Sequence, residues 1–166
     1  MKKKIILLIL SYFLCGAAFS QTLVLSDKLQ LNYGDPKLIS HSENFLIVKY
    51  KDWSFMHEIV NPKNIYPKID LTGMEQTYLR TVFGIEDVNT LPQWLIVLAK
   101  EQAQLFGIKK NNIKRKNIGE SVLVAVYNSE LSSAHVYIFE ALKIHHIVVR
   151  GNESRLSNVL DNIGER

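Results

Sequence analysis

In the last third of the chain, three runs of alternating apolar and polar residues are separated only by short turns, and no other feature restricts the fold more. The runs cover residues 121–127, 134–140 and 143–150, with turns at Asn128-Ser129-Glu130 and Ala141-Leu142. A period of two sends successive side chains to opposite faces of a strand. Strands joined by links this short must be antiparallel, because a parallel pair needs a crossover of a dozen residues or more.

The first part of the chain reads the same way. Residues 22–25, 28–33, 45–50 and 53–60 are rich in strand formers, and Lys51-Asp52 is a two-residue turn joining the last two. Between these two sets of strands the period lengthens. Thr72 and Glu75 stand in capping-box spacing ahead of Tyr78, Leu79, Val82 and Phe83, with Gly84 as the stop. A longer helix is expected from Pro92 to Phe106, opened by Thr90 and Gln93 and closed by Gly107, its apolar stripe running through Leu91, Leu95, Leu98, Gln102, Leu105 and Phe106. A last helix, residues 153–163, follows Asn152 and carries Leu156, Val159, Leu160 and Ile163 on one face. The order ββββ-αα-βββ-α predicts an α+β domain, an antiparallel sheet with helices packed on it, spanning residues 21–166.

Residues 1–20 read as a cleaved signal peptide. Met1-Lys2-Lys3-Lys4 is a positive start, residues 5–14 are apolar, and Ala18 and Ser20 are the small residues that a signal peptidase reads before Gln21. The apolar run falls short of the roughly 20 residues of a membrane-spanning helix. A retained anchor is the rival reading. Lipidation at Cys15 is another, but Leu14 stands where a small residue is expected. The expected location is a bacterial periplasm or the outside of the cell.

Cleavage changes the chemistry available. The formal net charge of +4 includes Lys2, Lys3 and Lys4, so the trimmed chain is close to neutral and offers no general basic character for nucleic acid. Cys15 is the only cysteine, and its loss leaves no disulfide, thiolate nucleophile or cysteine metal ligand. The domain must then be held by its core.

Among groups that could do chemistry, the histidines come first because they titrate near neutrality. If Ala141-Leu142 forms a two-residue turn, Glu140 pairs with Lys143, Ile138 with His145 and Tyr137 with His146. His135 then lies opposite Val148 and diagonal to His146, on the face of Tyr137 and Phe139. His145 points the other way, and so do His57 and Glu58 relative to each other. His135, His146 and Tyr137 are therefore the candidates for a catalytic role, against a plain reading as hydrogen-bonded strand residues. No third ligand converges locally, so no metal site is expected. Hydrolase signatures and glycine-rich phosphate loops are missing, so no cofactor is expected either.

Two candidate partner-binding features remain. Lys109, Lys110, Lys114, Arg115 and Lys116 form the one basic cluster; it suits an acidic partner or anionic headgroups, or is a solvated loop, and it lacks interleaved aromatics for base stacking. Trp94 sits off the centre of its helix's apolar stripe, as a partner-protein anchor would.

The C-terminal third, with Ile118-Gly119-Glu120, Tyr137-Ile138-Phe139, Ile144-His145-His146-Ile147-Val148-Val149 and the Leu156, Leu160, Ile163 helix, resembles the end of a PsbP-like domain. The resemblance covers residues 118–166. It implies an α+β sandwich and a small exported accessory protein without catalysis, and no ligand residue is carried across. The expected function is thus a non-catalytic binding or accessory protein of the envelope, such as an inhibitor, immunity protein or assembly factor. Its partner would be another envelope protein, not nucleic acid, and no membrane span would remain after cleavage. The alternatives are a small hydrolase or metal-dependent enzyme using His135, His146 and Tyr137, and a carrier of a small apolar molecule held between sheet and helices.

Overall fold

A computed structural model describes residues 21–166 apart from Pro67 and Lys110; the signal peptide expected at residues 1–20 lies outside the described residues. The α+β class is as expected, with two antiparallel sheets in place of one. Strands β1 (Thr22–Val24) and β2 (Leu29–Asn32) leave the main sheet and pair with each other, and β2 pairs on its other side with β10 (Ile163–Glu165). The main sheet has seven strands. In chain order these are β3 (Leu38–His41), β4 (Phe45–Lys49), β5 (Ser54–Ile59), β6 (Ile113–Ile118), β7 (Ser121–Asn128), β8 (Ser133–Phe139) and β9 (Ile144–Arg150). In space they run β3-β4-β5-β9-β8-β7-β6, so β5 and β9 join the two hairpin systems at the centre.

Both short turns form as read. The amide of Tyr50 donates to Trp53 O across Lys51-Asp52, and that of Glu140 donates to Lys143 O across Ala141-Leu142. The second turn sets the register that opposes Tyr137 to His146 and His135 to Val148.

Helices α1 (Glu75–Val82) and α2 (Gln93–Leu105) cover one face of the sheet, and α3 (Glu153–Asp161) with the small sheet covers the other. Each interface has its own core. Tyr78, Leu79, Phe83, Leu95 and Phe106 pack on Val124, Val126, Tyr137 and Phe139. Across the sheet, Leu29, Leu31, Leu156, Val159 and Ile163 pack on Leu123, Val136, Ile138, Ile147 and Val149. A fully buried aliphatic or aromatic side chain contributes about 1.5–3 kcal/mol, so either core alone outweighs any surface ion pair here.

The helix starts differ from expectation. Thr72 donates both its amide and its hydroxyl to Asp70 Oδ1, and Thr90 donates its hydroxyl to Asp87 O; each stands two residues ahead of the N-cap of the helix that follows. Met74 and Pro92 occupy the N-cap positions without a side-chain bond. The helix ends are as expected: Gly84 at φ 62° and Gly107 at φ 72° adopt the left-handed conformation that glycine enters at least cost. The last helix ends at Asp161, and Ile163 enters β10, where it is 1% exposed.

Candidate functional site

Two adjacent pairs of polar residues, His57-Glu58 on β5 and His145-His146 on β9, lie beside each other at the centre of the sheet. Because strand side chains alternate, each pair sends one member to each face. On the α1–α2 face, His146 Nδ1 is 2.8 Å from Glu58 Oε1, and His146 Nε2 is 3.0 Å from His135 Nδ1. On the opposite face, His145 Nε2 is 2.8 Å from Glu140 Oε2, and His145 Nδ1 is 3.1 Å from His57 Nε2. Ser26 Oγ, from the β1–β2 turn, donates to the other Glu140 oxygen at 2.9 Å. The sheet thus carries a Glu-His-His relay on each side.

Hydrogen-bond chemistry orders both relays. An ionised carboxylate only accepts, so the central histidine donates to it, and in its neutral form keeps a lone pair on its other nitrogen. The outer histidine then donates to that lone pair. This assignment from the network leaves His135 Nε2 and His57 Nδ1 as the lone-pair ends. Burial, followed by the neighbouring histidine, pushes the pKa of both outer rings down to about 4, so both are neutral near pH 7. The hydrogen bond from His146 is the main cause that holds Glu58 below the ordinary carboxylate value.

The structure brings His135, His146 and Tyr137 together on one face. Tyr137 stacks on His146 with ring centroids 4.3 Å apart and planes 9° from parallel, and Phe106 lies 4.3 Å from His135. Tyr137 is 5% exposed, and burial raises its hydroxyl pKa far above the ordinary tyrosine value, which suits a packing ring better than a proton donor. Sequence reasoning missed Glu58 as the partner of His146, and missed the Ser26-Glu140-His145-His57 relay altogether. The alternation that separates His57 from Glu58 was readable; which strand β5 would pair with was not.

Beside the first relay, between the β3–β4 hairpin, the loop after β5 and the C-terminal half of α2, is a cleft of about 290 Å³. Glu58, His146, Phe106 and Tyr137 line it together with Asn44, Asn61, Asn64 and Gln102. No lysine, arginine, serine or threonine is among the described residues lining it. Nor do the described residues include a group of three or more His, Cys, Asp or Glu side chains placed to hold a metal ion. All four ring nitrogens of the two central histidines, His145 and His146, bond to a ring or carboxylate within their own relay.

The partner-binding candidates separate in space. Trp94, Val97 and Leu105, on the outward side of α2, are 53%, 52% and 66% exposed, whereas Leu95, Ala99 and Phe106 are buried inward. Leu105, read as part of the buried stripe, is therefore corrected to the solvent side. The basic cluster, read by preference as a solvated loop, is mostly edge strand β6. There Arg115 Nη2 donates to Phe83 O and Gly84 O at 2.9 and 2.8 Å, at the end of α1. Lys116 Nζ reaches Leu160 O and Ile163 O at 3.4 and 3.3 Å, and Lys114 Nζ lies 3.3 Å from Glu153 Oε1. Lys109 is exposed in the preceding turn, and Lys110 lies outside the described residues.

No family model, curated protein or solved structure matches this chain.

Proposed function

We propose that this chain is an exported, non-catalytic binding or accessory protein of the bacterial envelope, periplasmic or secreted, acting through a protein interface on the outward face of α2. One observation carries the reading: Trp94, Val97 and Leu105 stand exposed on one face of a helix, with Glu101 between the last two, while the opposite side is already buried in the core. Soluble domains rarely leave large aromatic and aliphatic side chains aligned in water without a use for them, and tryptophan is prominent among interface anchors. The signal-peptide pattern of residues 1–20 and the PsbP-like resemblance of residues 118–166 support the export and accessory parts of the proposal. Among the described residues no helix is long and apolar enough to cross a membrane.

Envelope extract passed over the immobilised protein tests this reading. Wild type is expected to retain a defined partner, and a Trp94→Ala/Leu105→Ala variant with an unchanged melting temperature is expected to lose it. Retention of nothing, or equal retention by the variant, would count against the reading.

A second reading, a small hydrolase or metal-dependent enzyme, has the Glu58-His146-His135 relay in its favour. A carboxylate that orients one histidine, which in turn polarises another, is an arrangement that general-base catalysis uses. The buried Tyr137 hydroxyl and the absence of Ser or Thr among the described cleft residues leave such an enzyme only water as nucleophile. Metal content and activity of a His135→Ala/His146→Ala variant separate the two readings.

A further inference from the structure

We propose that the cleft beside Glu58 binds a small organic cation, an alkylammonium or guanidinium group, with Glu58 as its counter-ion. The observations are independent of the α2 interface. Glu58 is the only Asp, Glu, Lys or Arg side chain among the described cleft residues, and it commits Oε1 to His146 while Oε2 makes no hydrogen bond within the described residues. Asn44, Asn64 and Gln102 also line the cleft, and their side chains make no hydrogen bonds within the described residues, so three amide oxygens can accept from a ligand. Phe106 supplies an aromatic wall of the kind that organic cations favour.

Charge selects the ligand class. A phosphate or carboxylate would meet Glu58 with no lysine or arginine in the lining to offset it, and an apolar molecule would strand the amides and the free carboxylate oxygen without partners. A donor-rich cation satisfies both. At about 290 Å³ the cleft lies at the small end of ligand sites, which limits the bound part to a short amine or a single guanidinium group.

The relay adds orientation. His146, held by His135 and stacked on Tyr137, fixes Oε1 of Glu58 and so fixes the direction in which Oε2 is presented. Preorganisation of this kind cuts the ordering cost of binding.

Titration of the purified protein with ethanolamine and with methylguanidinium, followed by calorimetry and by the ring resonances of His146 and His135, tests the proposal. Ethylene glycol, a neutral analogue of ethanolamine, and acetate serve as controls. Saturable binding of the two cations is expected, with ring shifts at His146 and no binding of either control. Glu58→Gln, which keeps the side-chain shape, is expected to weaken the cations about tenfold or more, as the loss of a charge-assisted bond requires. Should that variant fail to fold, Asn64→Ala, which leaves the relay intact, is expected to weaken them roughly threefold. Failure of both cations to saturate, undiminished binding by Glu58→Gln, or equal binding of ethylene glycol would overturn the assignment.

Discussion

His57 and His135 face opposite sides of one sheet and meet the same environment, a half-buried ring beside another histidine. Burial keeps each of them neutral down to about pH 4, whereas in the unfolded chain they protonate near 6.5. Between those values the unfolded state binds more protons, so stability is full above about 6.5 and falls as the pH drops towards 4. After allowance for solvent screening, each ring should cost about 1–2 kcal/mol across that window. Glu58, held below the ordinary carboxylate value, adds a loss of the same sign at still lower pH. Urea midpoints measured from pH 7 to 4.5 should decline steadily, and less so in a His57→Gln/His135→Gln variant; a flat profile for wild type would refute the relay electrostatics. His146→Ala strands the Glu58 carboxylate and the His135 ring together, and should destabilise by about 2–4 kcal/mol in thermal unfolding at pH 7. The His135-His146-Tyr137 grouping was legible because one two-residue turn fixes the register of β8 on β9. Glu58 was not, because it arrives from a strand 88 residues away, and no local pattern names that neighbour.

Elements show the opposite balance. The helix stops at Gly84 and Gly107 were readable, since a left-handed residue there has to be a glycine at low cost. The starts were misread because the helices begin two residues later than the threonines suggest, with Met74 and Pro92 at the N-caps, while Thr72 and Thr90 belong to the preceding turns with Asp70 and Asp87. Strand β6 was hidden by its charge. A run containing Lys114, Arg115 and Lys116 looks solvated, yet Arg115 uses its charge on the C-terminal carbonyls of α1, where a helix favours cations. Arg115→Ala should therefore lower stability by about 1–2 kcal/mol with α1 fraying first, seen as faster amide exchange near Phe83 than near Leu123. Trp94→Ala, by contrast, removes a side chain that is 53% exposed and should change stability by no more than about 0.5 kcal/mol. A larger loss would mean that Trp94 holds the fold together and is not kept for a partner.

At the scale of the molecule, one sheet serves two cores, and the chain ends close one of them. Strand β2 pairs with β1 on one side and with β10 on the other, so the start and the end of the described chain meet in the small sheet. No described residue is a cysteine, and this closure is made by packing and backbone pairing alone. Ile163→Ala, which empties the buried anchor of β10, should cost about 2–4 kcal/mol in chemical denaturation. The α+β class followed from strand period and turn length; the split into two sheets did not, since β10 is a three-residue strand read as the end of a helix. The outward face of α2 lies outside both cores, and the proposed function rests on it. A photo-reactive amino acid at position 94, activated in intact cells, tests that claim most directly. The account predicts one dominant cross-linked envelope protein from position 94 and none from position 49 on strand β4; an absence of adducts at 94, or the same adducts from both positions, would contradict it.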